Sequence, residues 1–296
     1  MNFSEKIRDI RKKQGLSQEQ LAEKIGVSRQ AITKWETGKG LPDMENMIIM
    51  SEIFKTTIDE LIFSDIPHKE EAKVYQSETV YDIDRENHFD INLGGANAVT
   101  LSSGTDEKLH ICLKSDKISD IGSMFKIKLN GKKNKLDIEC VNKNKISRFE
   151  AENALNVDIK LPEKFADHCE LAASVRYLDI DGLNIGRLEY DGDAAQIMIS
   201  NSSGSLEFTA KTDYDVTVDS IKGSLDFYQF NAKAVVHIRQ QNCPKPINKG
   251  RKCKIYFLQD GEAAEPEFEN DTENVLSVSG IGSELIVDLI YENKTI

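Results

Sequence analysis

The chain has 296 residues, of which 39% are hydrophobic and 30% are charged, and its formal net charge is −12. This balance is typical of a soluble globular protein, and the length suggests two domains of ordinary size. No apolar run approaches the roughly 18 residues of a membrane helix, and the start MNFSEKIRDIRKK lacks the apolar stretch of a secretory signal. We therefore expect a cytoplasmic protein that does not bind a membrane.

The cysteines agree with a reducing compartment. They form an odd, scattered set without the CxxC pairs of a zinc site or a redox centre: Cys112, Cys140, Cys169, Cys243 and Cys253. This pattern favours small buried hydrophobic side chains over disulfides or metal ligands.

The positive charge is concentrated near the N-terminus. Residues 1–39 carry nine Lys and Arg against five Asp and Glu, whereas the rest of the chain is acidic on balance. A surface that faces phosphates needs its positive charge on one short segment. Charge alone does not decide between such a surface and a chance fluctuation of a few residues.

Five short helices are predicted between residues 3 and 63. They begin, in chain order, near Phe3, Ser17, Ser28, Pro42 and Thr57. Glycines end the first three, and Ser17 with Gln20 forms a capping box at the start of the second. The apolar positions expected to face the core are Phe3, Ile7, Ile10, Leu21, Ala22, Ile25, Ala31, Ile32, Trp35, Met47, Ile48, Ile53, Ile58, Leu61 and Ile62.

The second and third helices have the sequence features of a helix-turn-helix. Gly26 supplies the left-handed conformation of the tight turn, and Ala22 is small where the two helices approach. Residues 3–63, with LSQEQLAEKIGVSRQAITKWETGKGLPDMENM at their centre, resemble the XRE or Cro/phage-repressor family of DNA-binding domains. The resemblance implies a five-helix bundle that binds double-stranded DNA as a homodimer, with Ser28–Thr37 as the recognition helix in the major groove.

The helical periodicity indicates the same face of the third helix. Because Ile32 and Trp35 point inward, Arg29, Gln30 and Lys34 point outward. Arg can read guanine and Gln can read adenine through paired hydrogen bonds, so these three residues are the predicted base contacts. The predicted phosphate contacts are Gln18, Ser28, Thr33 and Lys39, with Arg11 and Lys12 as weaker candidates.

After residue 64 the pattern changes from helical to alternating. Residues 65–79 are polar and charged, and we interpret them as a linker. It joins a helix-turn-helix domain of residues 1–64 to an all-β domain of residues 80–296. Short alternating segments separated by Asn and Gly turns characterise this second domain.

Residues 155–238 repeat such segments at intervals of nine or ten residues. The apolar anchors are Leu178, Leu188, Ile197, Leu206, Val216, Leu225 and Val235. The strands could belong to a sandwich, a barrel or a solenoid, and the repetition favours a β-solenoid with two strands per coil. Through NVDIKLP and turns such as Ser203-Gly204, residues 90–290 also resemble adhesin-type β-solenoid domains.

The sequence contains no catalytic or cofactor motif. A glycine-rich phosphate loop, GxSxG and HExxH are all absent. His88, His110, His168 and His237 are far apart and singly placed. His110 and Cys112 could share one face of a strand, but a hydrogen-bonded strand histidine is several times more common. We expect neither an enzyme nor a metal or cofactor site.

The leading interpretation is a sequence-specific transcriptional regulator whose β-domain senses an effector or mediates self-association. One alternative is a protein-interaction scaffold whose helical domain has lost useful DNA affinity. Another is the antitoxin half of a toxin–antitoxin pair, in which the β-domain binds the toxin. Salt-dependent DNA affinity separates the regulator from the scaffold.

Overall fold

A computed structural model describes residues 3–54, 56, 74–143, 146–239, 243–259, 261–266 and 274–290. The chain divides into two compact units, residues 1–73 and 74–296, and each unit has its own hydrophobic core. The predicted fold class, a helical N-terminal domain followed by a larger β-domain, is confirmed.

The described helices of the N-terminal unit are α1 (Phe3–Lys13), α2 (Gln18–Ile25), α3 (Arg29–Glu36) and α4 (Met44–Phe54). Ser17 and Gln20 form the expected capping box at α2, and Ser28 caps α3. Gly26 ends α2 in the left-handed conformation with φ 86°. Sequence signals for caps act locally, which is why these boundaries are predicted well. The fifth predicted helix lies outside the described residues.

The core of the helical unit differs from the prediction on α4. Met50 and Phe54 are buried, whereas Ile48, predicted to point inward, is 44% exposed. Apolar residues surround α4 on most sides, as in MENMIIMSEIF. Periodicity identifies an inner face only when the outer face is polar, so it fails on this helix.

The second unit is built from eighteen described strands and two short helices. The strands are β1 (Tyr75–Asp82), β2 (Asn87–Gly104), β3 (Lys108–Ser115), β4 (Phe125–Lys132), β5 (Lys135–Asn142), β6 (Asn156–Pro162), β7 (Ala166–Asp181), β8 (Asn184–Asp191), β9 (Ala194–Ser200), β10 (Ser202–Ala210), β11 (Tyr214–Val218), β12 (Ile221–Phe230), β13 (Lys233–Arg239), β14 (Ile247–Asn248), β15 (Lys254–Gln259), β16 (Glu262–Ala263), β17 (Val275–Ile281) and β18 (Glu284–Ile290). The helices are α5 (Ile121–Met124) and α6 (Arg148–Ala154).

The first strand begins inside the segment predicted to be a linker. β1 starts at Tyr75 and pairs antiparallel with β3 along its whole length. Residues 75–79 therefore belong to the β-domain, and the predicted linker boundary at residue 79 is wrong. The first residues of β1 are only half-buried on alternate positions. One face of an edge strand stays in water, so its residues can be as polar as those of a linker, and their composition does not reveal the strand.

Two parallel ladders organise the centre of the β-domain. One joins β8, β10 and β12, and the other joins β9, β11 and β13. Several pairs of residues that hydrogen-bond between neighbouring repeats are nineteen positions apart, as Ser205 and Ser224 are. β7 spans both ladders, because its first half pairs with β8 and its second half with β9. The structure thus has two strands per repeat, while the closure of these repeats into solenoid coils stays a prediction.

Alternate residues of each strand fill the core between the ladders. The predicted anchors from Leu178 to Leu225 are buried. The prediction is wrong for the last anchor, Val235, which is only half-buried. Val236 is buried in its place and pairs with Val216 of the preceding repeat. Adjacent valines make the two registers equally apolar, and a shift of one residue exchanges the inner and outer faces.

The last two strands lie between strands that precede them in the sequence. β17 pairs in parallel with β12 on one side and β14 on the other. β18 likewise lies between β13 and β15. The paired side chains of His237 and Asp288 are consequently 51 residues apart. No local sequence pattern predicts this order, because chain order and spatial order differ here.

Candidate nucleic-acid interface

The packing of α3 determines which of its residues reach solvent. Ser28 Oγ accepts a hydrogen bond from the backbone N–H of Ala31 at 3.3 Å, which sets the first turn of the helix. Ile32 is fully buried and Trp35 is 7% exposed. The opposite stripe of α3 is therefore left facing water.

The three predicted base contacts, Arg29, Gln30 and Lys34, are all exposed on that stripe. Arg29 Nη1 lies 3.9 Å from Glu19 Oε2, and the two side chains are 64% and 66% exposed. Surface ion pairs of this kind contribute about 0–1 kcal/mol, so Arg29 can exchange Glu19 for a base edge at little cost.

The predicted phosphate contacts fall into two groups. Ser28, Thr33 and Lys39 are exposed, whereas Gln18 is half-buried. Gln18 Nε2 donates to Glu36 Oε2 at 2.8 Å, and Gln18 Oε1 accepts from Thr33 Oγ1 at 3.3 Å. The amide thus links the start of α2 to the outer surface of α3. Its position constrains the angle between the two helices, and it has one further N–H to donate.

A buried ion pair lies beneath this interface. Arg11 Nε donates to Glu36 Oε1 at 2.5 Å and Arg11 Nη2 donates to Glu36 Oε2 at 3.0 Å. A third N–H of Arg11 donates to the carbonyl of Leu16 at 2.7 Å. The Arg11 and Glu36 side chains are 10% and 3% exposed. Arg11 is therefore not a phosphate contact, which corrects the weaker prediction made for it.

Sequence reasoning missed Glu36 because it treated charged residues as surface residues. One signal was available: Glu36 is four positions after Ile32, on the inner stripe of α3 beside Trp35. A charge at such a position requires a partner, and α1 supplies Arg11. The pair joins α1 to the end of α3.

The environment of Glu36 keeps it ionised. Burial alone would raise the pKa of this carboxyl, since it removes water from the charged form. The hydrogen bonds from Arg11 and Gln18, together with the positive charge of Arg11, outweigh burial and hold the pKa below its ordinary value. The negative charge is thus neutralised inside the fold and adds no exposed negative charge to α3.

The β-domain brings together two histidines that the sequence analysis treated as singly placed. His88 and His168 are paired across β2 and β7, and their ring centroids are 4.1 Å apart. His110 instead contacts carboxylates, with Nε2 2.7 Å from Asp106 Oδ2.

Among the described residues, no helix combines the length and the apolar character needed to cross a membrane.

The comparisons with known proteins match the N-terminal unit. A family model described as helix-turn-helix matches residues 7–61. The HTH-type transcriptional activator BcrR of Enterococcus faecalis is 53% identical over 62 residues, which are 21% of this chain and 30% of BcrR. An uncharacterised HTH-type transcriptional regulator of Archaeoglobus fulgidus is 37% identical over 60 residues, which are 20% of this chain and 86% of that protein.

A larger share of the chain aligns with a solved structure of a different description. This is a protein of Clostridium sporogenes described as a candidate for cell adhesion, which aligns with 74% of this chain and 100% of its own. The identity is 13% and the TM-score 0.38. This chain in turn spans only 30% of BcrR.

Proposed function

The chain belongs to the helix-turn-helix family of DNA-binding transcriptional regulators, and from this premise we propose that residues 28–37 enter the major groove of a specific operator. Arg29 and Gln30, in the first turn of α3, read base edges. Lys34 contacts a base or a phosphate one turn later. Thr33, Lys39 and the start of α2 hold the phosphate backbone.

One observation carries the proposal: Arg29, Gln30 and Lys34 share an exposed stripe, while the buried side of the same helix is fixed to α1 and α2. The ion pair of Arg11 with Glu36 supports it, because a base-reading helix must keep its angle when its outer side chains change partners. Two positive charges on the outer stripe suit a polyanion.

Replacement of Arg29 is expected to have a sequence-dependent effect. Arg29→Ala should weaken binding to the specific operator by about 1–3 kcal/mol, because a bidentate contact to guanine is lost. Binding to unrelated DNA should change much less. Fluorescence anisotropy on operator and scrambled duplexes at several salt concentrations measures both.

Lys39→Ala is the matched control, since it removes a positive charge that lies beyond the end of α3. It should weaken binding to every duplex similarly and reduce the salt dependence by about one counterion. If Arg29→Ala and Lys39→Ala give the same loss on operator and scrambled DNA, Arg29 is only a phosphate contact and the base-reading assignment fails.

The acidic β-domain fits a separate task in this proposal. Residues after 64 carry the whole net charge of −12, so this part of the chain is repelled by DNA. We propose that the protein binds two half-sites as a homodimer. The β-domain then supplies self-association, the binding of an effector or partner, or both.

A further inference from the structure

The pairing of β2 with β7 places three side chains of metal-binding types, two histidines and one glutamate, on one outer face. His88 pairs with His168 across the two strands, and Glu170 lies two residues beyond His168. Residues two apart on a strand, and residues directly paired between strands, project from the same face of a sheet. His88, His168 and Glu170, here called the His–Glu cluster, therefore converge by register.

The distances within the His–Glu cluster suit a small cation. One ligand atom from each side chain lies within 4.8 Å of the other two. His88 Nε2 and Glu170 Oε1 are 3.2 Å apart. Two ligands held about 2.1 Å from a tetrahedral zinc ion lie about 3.4 Å apart, close to this separation.

His88 has a polar atom that the rest of the fold does not satisfy. Its Nε2 is buried from water and forms no hydrogen bond with any residue the structure describes. Glu170 Oε1 lies 3.2 Å from this nitrogen, but the two atoms form no hydrogen bond. A cation shared by the two atoms would sit to one side of the line between them. Burial without a partner is costly for a nitrogen, and a metal ion would remove that cost.

The charges around the His–Glu cluster leave Glu170 available. Lys135 Nζ is held by Asp90 at 2.7 Å. Arg187 is held by Glu207 through Nη2 at 3.0 Å and by Glu189 Oε1 through Nε at 2.9 Å. In the described part of the chain, no lysine or arginine forms an ion pair with Glu170. The carboxylate is therefore free to neutralise a cation.

A further carboxylate orients the second histidine. Glu189 Oε1 lies 3.0 Å from His168 Nε2, on the next strand of the ladder. Carboxylates beside metal-binding histidines fix the ring and raise its basicity. Glu189 is thus a positioning residue for His168.

We propose that His88, His168 and Glu170 form a site for a first-row divalent transition metal of the zinc class. Two imidazoles and one carboxylate are the ligand set that Zn²⁺ accepts with water in a fourth position. Thiolate ligation is not part of the site, since Cys169 is fully buried in the core. The metal would tie β2 to β7, and the proposal is independent of DNA binding.

Zinc titration of the full-length protein under reducing conditions tests the site. Isothermal titration calorimetry should give one saturable site per chain. A hundredfold excess over Kd should raise the thermal midpoint of the β-domain by about 5–10 °C. The cobalt-substituted protein should show visible absorption bands of a four- or five-coordinate ion.

Three variants decide the assignment. His88→Ala and the isosteric Glu170→Gln should each weaken zinc binding at least tenfold while the metal-free proteins keep the wild-type thermal midpoint. His110→Ala, which removes another surface histidine beside carboxylates, should bind zinc like the wild type. The proposal would be overturned if zinc titration gave no saturable site. It would also be overturned if a His88→Ala/Glu170→Gln double variant bound zinc as tightly as the wild type, because the zinc would then be bound by other groups, such as the thiols.

Discussion

Glu36→Gln is expected to destabilise the helical unit by about 3–5 kcal/mol, the cost of removing one partner from a buried ion pair. The guanidinium of Arg11 would remain buried, with Nε and Nη2 facing a neutral amide that accepts only one of their hydrogen bonds. A domain of this size has little more stability than that to lose, so much of the variant should be unfolded at 25 °C.

The single tryptophan makes this measurable in the intact chain. Trp35 lies in the core of the helical unit, so its fluorescence during urea unfolding reports that unit and not the β-domain. Glu19→Gln is the control, because among the described residues Glu19 has one ion pair, the exposed contact with Arg29. It should cost less than about 1 kcal/mol. Equal losses in the two variants would show that the buried pair does not stabilise the fold.

Acid should act on the same pair. The pKa of Glu36 is held below its ordinary value, so the carboxylate contributes stability at every pH above that ordinary value. That contribution is lost as the pH falls through the lower value of the folded state. The Glu36→Gln protein should lack this part of the acid sensitivity.

Gly204→Ala is expected to cost the β-domain about 3 kcal/mol or more. A Cβ at this position would lie 2.0 Å from the carbonyl oxygen of Ile185 in the neighbouring repeat. One repeat later, a Cβ on Gly223 would likewise lie 2.1 Å from the carbonyl oxygen of Gly204. Strands in a ladder are held about 4.8 Å apart, so the backbones cannot separate locally. Overpacking costs about 1–3 kcal/mol, and the φ of +133° adds strain of a similar size for alanine.

A second glycine separates the steric cost from the conformational one. Gly182 also has a positive φ, +64°, but a Cβ there meets no atom within 4 Å. Gly182→Ala should therefore cost only about 1–2 kcal/mol. Urea unfolding followed by the far-ultraviolet circular dichroism of the strands measures both variants. If the two alanines cost the same, close approach between repeats is not what requires Gly204.

The parts of the fold that sequence predicts are those written in local patterns. The capping box of Ser17 and Gln20 and the turn at Gly26 involve residues within a few positions of each other, and the structure has all of them. The outer stripe of α3 follows from Ile32 and Trp35 by helical spacing alone. The alternation of the central strands predicts their buried side for the same reason, until Val235 and Val236 make it ambiguous.

The parts that sequence does not predict depend on distant partners. Arg11 and Glu36 are 25 residues apart, and only the packing of α1 on α3 makes their burial possible. His88 and His168 meet through the register of two strands that are separated by four others in the chain. β17 and β18 fill positions beside strands made much earlier. Each depends on which elements become neighbours, which residue patterns do not encode.

We propose that α3 reads a specific DNA sequence through Arg29 and Gln30. The most direct test is an unbiased selection of bound genomic DNA fragments with the wild-type protein and with an Arg29→Ala/Gln30→Ala double variant. We predict that the wild type enriches a short palindromic site and that the variant does not. Trp35 fluorescence should show that the helical unit of the variant is still folded. If the wild type enriches no fragment at moderate salt, or if the variant enriches the same site equally well, the claim is contradicted.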